Sequence, residues 1–444
     1  MRRRGALISR TLGIGALALL AALAATPLRP VFAAGFSISE QSAKATGMAD
    51  AVAAQSDDPA VIYYNPGGMA FFDKASGSVG ATYITFTSAK FKGANPFPGD
   101  GYTATQQKLH AFPPHAYWVQ PITPQLKLGI GIESPFGLQT RWQNPDTFAG
   151  RYLSTLASIK DIDINPTVAW QVTPELGIGA GFIARLSEVQ LERDVPANDP
   201  FTFTTVNAAK IKLKSKYDNG YGFDVGFLNK PTPWLSWGGS YRSAITVNYT
   251  GDAILFPRSS GDPFFDQVLA LQLPYNTSIP VKTQIKYPDF ANLGFAFKAM
   301  PDLTVELDGN YWGWSKLEDV PITFPNGQLP NSDIIQRWKN SYAVRAGLNW
   351  ASSPTWQWRL GYVWDQTPQP EEVVNPLLPD ANRNGITAGI GFRGNPIDVD
   401  LGVMYLFFAD RTRTKSFADD PQGPFFGTYS TKALLVSLTI GFHQ

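Results

Sequence analysis

Hydrophobic residues alternate with small or polar residues over long stretches of this chain. Residues 126–133 read L-K-L-G-I-G-I-E, residues 397–407 read I-D-V-D-L-G-V-M-Y-L-F, and residues 434–442 read L-L-V-S-L-T-I-G-F. A period of two places successive side chains on opposite faces of a β-strand. The pattern therefore predicts strands with one apolar face and one face of polar or small residues.

A short turn that contains proline precedes many of these strands. Its six copies begin at Ile122, Val172, Pro231, Met300, Ser352 and Gly394. They recur at intervals of roughly 40 to 70 residues, so each interval holds about two strands and one longer connection. Six short turns at one end of a closed sheet, with both chain ends at that end, predict fourteen strands.

The length of the strands separates two kinds of β-protein. A water-soluble sandwich also alternates, but its apolar faces meet inside and its strands are usually short. Strands of roughly 12 to 20 residues, with short turns at one end and long loops at the other, are typical of a transmembrane barrel. We therefore predict an all-β fold, a 14-stranded antiparallel transmembrane β-barrel over residues 76–444, whose apolar face contacts lipid and whose termini both face the periplasm.

Residues 1–33 have the features of a cleavable export signal. Arginines follow Met1, an apolar run covers residues 12–25, and Val31 and Ala33 lie at the small-residue positions before the predicted cleavage site. The 444-residue chain has no Cys, a net charge of +1 and an aromatic content of 13%. These values exclude disulfides, give no electrostatic support for a nucleic-acid partner, and suit aromatic belts at a membrane interface.

A segment rich in turn residues separates the export signal from the first predicted strand. Residues 56–69 read S-D-D-P-A-V-I-Y-Y-N-P-G-G-M, which suits neither a long helix nor a strand. A barrel of this size leaks unless its lumen is filled, so we predict that residues 34–75 form a hatch that plugs it. The candidate hatch-fixing residues, expected to bond the hatch to itself and to the wall rather than to substrate, are Asp57, Asp58, Asn65, Pro66 and Gly67.

Short motifs in this region resemble those of a known family. Residues 35–42 read G-F-S-I-S-E-Q-S and residues 47–51 read G-M-A-D-A, ahead of the D-D-P and N-P-G-G-M elements. Together they resemble the N-terminal hatch of the FadL family of outer-membrane channels for long-chain fatty acids and other hydrophobic compounds, although Gly67 stands where that family usually has Ala. Later segments, K-Y-P-D, W-G-W-S-K-L and Y-V-W-D-Q-T-P, extend the resemblance over nearly the whole mature chain.

The resemblance implies a passive transporter in the bacterial outer membrane. Its expected substrates are hydrophobic small molecules, most simply long-chain fatty acids, and the alternative on the same scaffold is monoaromatic hydrocarbons. We expect substrate to bind in the lumen, to shift the hatch and to leave sideways into the outer-membrane lipids. The channel is expected to act as a monomer and to need no cofactor or metal.

Pro135, Phe136 and Gly137 interrupt the third predicted strand. Proline cannot donate to a β-ladder and glycine marks bulges, so pairing with a neighbouring strand should lapse there. From the residues alone, a bend where the strand leaves the membrane explains the interruption equally well. The family has a kink in this strand that opens a lateral gap beside the hatch, so the resemblance favours a lateral opening.

Strand parity predicts part of a binding pocket. The parity of the fifth strand places five residues on the lumen side: Arg185, Ser187, Val189, Leu191 and Arg193. The Leu-Glu-Arg segment that ends at Arg193 is similar to an I-E-R segment whose apolar residue and Arg line the ligand pocket in the family. We expect Arg193 to pair with a carboxylate while Val189 and Leu191 contact an apolar tail.

Three other segments supply further candidates. Lys316 has lumen parity on the ninth strand and is a second candidate cation, although a lumenal cation can also be a wall charge paired with the hatch. Phe36 is a candidate apolar contact from the hatch. Residues 263–273 predict an amphipathic helix with Phe264, Val268 and Leu271 on one stripe, either as a lid packed on the rim or as a landing groove for substrate.

Two other functions fit the sequence less well. A lipid hydrolase needs a nucleophile, a base and an orienting group, but the chain has only three His and no G-x-S-x-G elbow or metal-ligand cluster. We therefore predict that the protein is not an enzyme. A general diffusion porin needs no hatch, and its lumen is expected to be more charged than these Gly- and Ser-rich inner faces.

Overall fold

A computed structural model describes residues 35–418, 420 and 423–443. The predicted export signal lies outside the described residues. Within these residues no helix has both the length and the apolar character needed to cross a membrane.

The described chain is dominated by 22 strand segments. The first eleven are β1 (Ser76–Gly93), β2 (Thr103–Thr105), β3 (Pro114–Pro121), β4 (Leu126–Glu133), β5 (Gly137–Arg141), β6 (Leu156–Gln171), β7 (Leu176–Asn198), β8 (Thr205–Ser215), β9 (Asp218–Thr232), β10 (Leu235–Arg242) and β11 (Ile245–Pro257). The others are β12 (Ser278–Tyr287), β13 (Phe290–Met300), β14 (Leu303–Trp312), β15 (Asp319–Thr323), β16 (Ser332–Ile335), β17 (Ser341–Ala351), β18 (Trp356–Asp365), β19 (Arg383–Arg393), β20 (Ile397–Phe408), β21 (Arg411–Arg413) and β22 (Gly427–His443).

These segments form one closed antiparallel sheet. The last segment pairs with the first from Ser76 opposite His443 to Gly93 opposite Gly427, which removes both free edges. Consecutive segments that continue one another form single strands of the wall: β2 with β3, β4 with β5, β8 with β9, β10 with β11, β12 with β13, β14 with β15, β16 with β17, and β20 with β21. The described residues thus form fourteen strands, and the predicted 14-stranded antiparallel barrel is confirmed.

The apolar face of the wall points outward. Leu128 and Ile130 are each 46% exposed, whereas Lys127 beside them is 3% exposed. Exposed apolar side chains recur around the wall and include Phe182, Val225, Leu293, Leu360, Ile386 and Leu438. In a barrel these rows face lipid, so the inner face of small and polar residues is left for the lumen.

The lumen contains the segment that precedes β1. This segment forms helices α1 (Ala43–Gly47) and α2 (Val61–Tyr64) and a 3₁₀ turn at Pro66–Phe71. Its residues Met48, Ile62 and Met69 are fully buried. Small residues on the inner wall allow the segment to approach closely, because a Cβ added at Gly179 lies only 2.4 Å from the carbonyl oxygen of Pro66.

A third helix and two short turns lie outside the sheet. Helix α3 (Pro263–Gln272) lies in the loop between β11 and β12, and 3₁₀ turns lie at Trp314–Lys316 and Glu371–Val373. The helix buries Phe265 and Leu269, whereas Phe264 is 59% and Leu271 is 89% exposed. The predicted helix is therefore present, and the predicted stripe is exposed at Phe264 and Leu271 rather than packed on the rim as a lid.

Candidate functional site

The pairing between the second and third strands of the wall is interrupted. The ladder runs from Pro121 opposite Lys127 to Ala116 opposite Ile132 and then stops. Contact resumes with an isolated bridge between Gln106 and Trp142. Between these points the described residues form no ladder, and we call the gap between residues 108–113 and 134–140 the window.

The segment on each side of the window keeps its pairing with the neighbouring strand that lies away from the window. On one edge, the N–H of Ile84 donates to the carbonyl oxygen of Ala111 at 2.9 Å. On the other edge, β5 pairs with β6 from Gly137 opposite Lys160 to Arg141 opposite Leu156. The gap is therefore local, and its cause is visible in the sequence: the prolines at 113, 114 and 135 have no N–H to donate.

The start of the hatch covers the window from inside the lumen. The N–H of Ile38 donates to the carbonyl oxygen of Pro135 at 2.8 Å, and the N–H of Gly137 donates to that of Phe36 at 3.1 Å. Ser37 lies opposite Phe136 as an antiparallel bridge. We call residues 36–38 the gate segment, because they form a short piece of sheet where the wall lacks one.

Ile38 occupies the space beside Gly137. A Cβ added at Gly137 lies 2.7 Å from the Cδ1 atom of Ile38, so a larger residue at this position requires the end of the Ile38 side chain to move. The residues of the predicted lateral opening thus lie at the interruption of the third strand, in direct contact with the hatch.

Two cavities meet at the gate segment. The window cavity, of about 460 Å³, is lined by lumenal residues such as Phe86 and Leu406, by Ile38, and by Phe112 and Lys160 near the outer surface. A second cavity, of about 110 Å³, is lined by residues of β6, β7, β8, β11 and β12 among others, and we call it the deep cavity. Phe36, Leu138 and Ile159 line both, so the two cavities are adjacent.

The deep cavity has an apolar lining. Phe36, Val189 and Leu191 lie in this lining, together with Leu213, Ile322, Ile334 and Trp338. One end carries hydroxyl groups, where Tyr249 Oη lies 2.6 Å from Ser187 Oγ and 2.8 Å from Tyr287 Oη. The structure therefore brings three of the predicted substrate-binding residues together around one apolar space.

Phe36 is held in an aromatic cluster. Its ring centroid lies 4.8 Å from that of Trp314, 5.7 Å from that of Trp338 and 5.8 Å from that of Phe136. Gly35, with a φ of 65°, precedes it in the left-handed region that favours glycine. Phe36 therefore contacts both the window strand and the deep cavity, so movement of this side chain changes both.

Gly35 is anchored to a loop. Its N–H donates to Asp380 Oδ2 at 3.2 Å. Burial raises the pKa of Asp380 to about 6, although the nearby guanidinium of Arg383 and a hydrogen bond from Thr367 Oγ1 act in the opposite direction. At neutral pH this carboxylate is mainly ionised and accepts the hydrogen bond that holds the start of the hatch.

Arg193 lies on the same side of β7 as Leu191, two residues farther along. It is outside the linings of both cavities. Its Nε atom is buried and has no hydrogen-bond partner among the described residues. Arg193 also makes no ion pair with another described residue, unlike Arg185, whose Nη2 atom lies 2.8 Å from Asp163 Oδ2.

Lys316 does not join the cavity lining. Strand β14 ends at Trp312, and the 3₁₀ turn at Trp314–Lys316 breaks the period of two on which the parity argument depends. The ammonium of Lys316 pairs with the carboxylate of Asp289. The lumenal position predicted for Lys316 is therefore wrong, because the alternation stops before it.

The hatch residues Asp57 and Asp58 bond within the hatch. Asp57 pairs with Lys44. Asp58 accepts a hydrogen bond from Ser42 Oγ at 2.8 Å and one from the N–H of Ala60 at 2.9 Å. These bonds connect helix α1 to the segment that leads into α2.

Asn65 joins the hatch to the wall. Its Nδ2 atom donates to the carbonyl oxygens of Ala53 at 2.7 Å and Phe227 at 2.8 Å, and its Oδ1 atom accepts from the N–H of Gly67 at 3.1 Å. Pro66 begins the 3₁₀ turn. A Cβ added at Gly67 lies 2.5 Å from the Cα atom of Phe227, so the wall leaves no space for a side chain there without a local shift.

Sequence reasoning missed the wall residues that hold the hatch. Asp308 Oδ2 accepts the N–H groups of Val52 and Ala53, each at 3.0 Å. Arg345 Nη1 donates to the carbonyl oxygen of Ala49 at 2.8 Å and to Asp50 Oδ2 at 2.9 Å. In the sequence, these two residues could have been found as charged residues at lumen-facing positions of predicted strands.

The described residues contain no group of three or more His, Cys, Asp or Glu side chains that could hold a metal ion.

We compared the chain with known protein families. Residues 23–443 match the model of the family described as "Outer membrane protein transport protein (OMPP1/FadL/TodX)". The chain belongs to this family. Membership in the OMPP1/FadL/TodX family, together with the barrel fold, places the protein in the bacterial outer membrane.

Individual relatives agree with this assignment. The chain is 25% identical over 414 residues to a long-chain fatty acid transport protein of Escherichia coli O6:H1, which covers 88% of this chain and 90% of the relative. It is 25% identical over 401 residues to outer membrane protein P1 of Haemophilus influenzae, which covers 84% of this chain and 86% of the relative.

Solved structures of the OMPP1/FadL/TodX family share the fold. A FadL homologue of Pseudomonas aeruginosa superposes with a TM-score of 0.77 at 20% identity, over 92% of this chain and 99% of that chain. The toluene transporter TodX of Pseudomonas putida superposes with a TM-score of 0.67 at 13% identity, over 93% of this chain and 99% of that chain.

Proposed function

We propose that this protein is a passive outer-membrane transporter for hydrophobic molecules, most simply long-chain fatty acids. The observation that carries the proposal is the junction of an apolar lumenal cavity with a gap in the wall at one residue, Phe36. Substrate binds in the deep cavity, the gate segment moves, and substrate leaves through the window into the bilayer.

Release through the side of the barrel suits an apolar tail. A pore that opens into the periplasm leaves the tail in water, at a cost of about 0.8 kcal/mol for each CH₂ group. The window cavity instead extends from the lumen to Phe112, which is 64% exposed on the outer surface. A tail that follows this route stays in contact with apolar groups.

Phe36 gives substrate a means of opening this route. It is part of the deep-cavity lining, and its carbonyl oxygen accepts the bond from Gly137. A tail that fills the deep cavity competes with the Phe36 ring for space. Binding therefore favours a state in which the gate segment has moved, to the extent that substrate binds that state more tightly.

Arg193 is the proposed partner of the substrate head group. Buried polar atoms are normally hydrogen-bonded, and the Nε atom of Arg193 is buried without a partner among the described residues. A guanidinium group can bind both oxygens of a carboxylate through two parallel hydrogen bonds. Its distance of two residues from Leu191, about 7 Å along a strand, suits a head group whose tail lies against Val189 and Leu191.

The first test identifies the ligand. Mass spectrometry of protein purified in mild detergent is expected to detect co-purified long-chain fatty acids. Arg193→Gln is expected to weaken binding of a long-chain acid by roughly tenfold, as for loss of a charge-assisted bond, and to leave binding of the matching alcohol unchanged. Equal losses for acid and alcohol contradict a head-group role.

A specific observation supports the second candidate substrate class, monoaromatic hydrocarbons. The lining around Phe36 and Trp338 is aromatic, and such rings stack favourably with aromatic ligands. Toluene binding that exceeds fatty acid binding in the same detergent assay would favour this class. For a hydrocarbon substrate, Arg193→Gln is expected to have no effect.

We also propose that the protein acts without catalysis and as a monomer surrounded by outer-membrane lipids. The buried hatch and its hydrogen bonds to the wall support a gated channel rather than a general porin. Planar-bilayer recordings are expected to show little steady ion conductance, whereas a large ohmic conductance would favour a porin. Mass measurement in nanodiscs tests the monomeric state, and recovery of unmodified substrate tests the absence of catalysis.

A further inference from the structure

Two lysines share one carboxylate on the outer surface of the wall. The Nζ atom of Lys160 lies 3.5 Å from Glu188 Oε1, and that of Lys214 lies 3.0 Å from Glu188 Oε2. The lysine side chains are 64% and 48% exposed, whereas that of Glu188 is 11% exposed. Because two ammonium groups face one carboxylate, the cluster keeps an excess positive charge.

The cluster lies at the outer mouth of the window. Strand β6 alternates there, with Asp161 and Asp163 buried toward the lumen and Lys160 exposed on the other side. Lys160 is the direct cross-strand partner of Gly137 and lines the window cavity. Its ammonium is therefore at the end of the cavity where a substrate leaves the barrel.

One further acid faces the cluster: Asp252 on β11 is the direct cross-strand partner of Lys214 and offsets part of its charge, although no ion pair joins the two side chains. The nearest acid on the same strand as Glu188 is Glu192, which is paired with Lys210 at 2.8 Å. Between these two acids lies Gln190, whose Nε2 atom donates to Glu192. On the window edge, Gln139 is neutral and Gly137 has no side chain that could cover Lys160.

We propose that Lys160 and Lys214 form an exit site for the carboxylate of an amphipathic acid. The site rests on the proposed function and extends it from binding in the lumen to release. As the tail passes the window into the hydrocarbon, the head group transfers to ammonium groups at the outer mouth. Long lysine side chains reach such positions because their stems lie on apolar surface while the charge stays at the interface.

The test compares an acid with a neutral analogue of equal chain length. Wild-type protein and the Lys160→Gln/Lys214→Gln variant are reconstituted in phosphatidylcholine vesicles, and transfer of hexadecanoate and of hexadecanol into the bilayer is measured. The variant is expected to transfer the acid roughly two- to fivefold more slowly, the range for exposed ion pairs. Transfer of the alcohol is expected to be unchanged.

Two further variants serve as controls. Lys282→Gln/Lys286→Gln removes two exposed lysines from the outer face of β12, away from the window, and is expected to change nothing. Glu188→Gln keeps both lysines and removes the competing carboxylate, so it is expected to speed transfer of the acid. Binding of the acid in detergent is measured for every variant and is expected to equal that of wild type.

Several outcomes overturn the exit site. Equal slowing of acid and alcohol, no slowing of either, or an equal effect of the β12 control excludes a local carboxylate site. A defect that appears only in vesicles with phosphatidylglycerol shows that the lysines bind lipid phosphate instead. If wild-type protein transfers neither compound, the proposed transport function fails as well. If wild-type protein transfers both compounds and the double variant transfers the acid at the wild-type rate, only the exit site is refuted.

Discussion

Two boundaries between neighbouring strands of the wall, which we call seams, differ in how their backbone is paired. The seam between β1 and β22 runs unbroken from Ser76 to Gly93, apart from one irregularity between Phe86 and Ser88. The seam between the second and third strands stops at Ala116 and leaves the window. Neither strand of the first seam contains proline, whereas the second seam has three prolines near its gap.

The difference shows how a barrel can have a lateral opening. Within a bilayer, each unpaired backbone group costs several kcal/mol, so an unpaired strand edge is not stable by itself. At the window the hatch supplies the missing partners, because Gly137 donates to Phe36 and Ile38 donates to Pro135. The gate segment therefore pairs with the wall as a strand does, but it belongs to the hatch and can move away, unlike β1 in the intact seam.

The largest effect is expected when the gate segment is fixed covalently. Ser37 and Phe136 face each other at a position without direct hydrogen bonds, where Cα atoms of antiparallel strands approach to about 4.5 Å, within the range for a disulfide. Because the chain has no Cys, Ser37→Cys/Phe136→Cys gives one defined pair. Oxidation is expected to lower uptake at least about tenfold, and reduction to restore it.

The control for this lock is each single cysteine variant, treated with the same oxidant. Uptake of the single variants is expected not to respond to oxidation. Full uptake by the oxidised double variant, with the disulfide verified by mass spectrometry, would show that the gate segment need not move.

A smaller effect is expected from Gly137→Val. The added side chain takes the place of the Ile38 Cδ1 atom, so it should displace the gate segment and leave the window partly open. Transfer of substrate into the bilayer of vesicles is expected to rise several-fold, since the added volume costs about 1–3 kcal/mol in a packed site. The matched control is Gly441→Val in the intact seam, where an added Cβ has its nearest neighbour at 3.4 Å.

Equal transfer of substrate by Gly137→Val and Gly441→Val would show that Ile38 does not close the window.

The smallest effect on transport is expected from Asn65→Ala in the hatch body. This variant loses three hydrogen bonds, none of them to a window residue, and leaves buried backbone groups unpaired, at a cost of about 1–3 kcal/mol. Limited proteolysis is expected to cut the hatch faster while heat resistance of the barrel in detergent is unchanged. Loss of the folded barrel would contradict the view that the hatch body is a separate, weaker unit than the wall.

The period of two predicted the wall and part of the site, because it depends only on local geometry. It placed Val189 and Leu191 on the lumen side, and both line the deep cavity. It failed for Lys316, since a 3₁₀ turn ends the alternation after Trp312. The alternation therefore predicts which face of the wall a side chain lies on only while the strand remains regular.

Contacts between hatch and wall could not be predicted in the same way. The position of Ile38 beside Gly137 depends on how a segment from one end of the chain crosses the lumen. Likewise, Asp308 and Arg345 were visible as lumenal charges, but nothing local indicated that their partners are backbone groups of the hatch. These contacts are set by the assembled barrel.

The anchors of the hatch also determine when it can fold. Val52 bonds to Asp308, 256 residues later in the chain, and Asp50 bonds to Arg345, 295 residues later. Neither bond can form until the ninth and tenth strands have been delivered and have joined the sheet. The hatch precedes the whole wall in the sequence and is thus among the last parts of the protein to reach its final place.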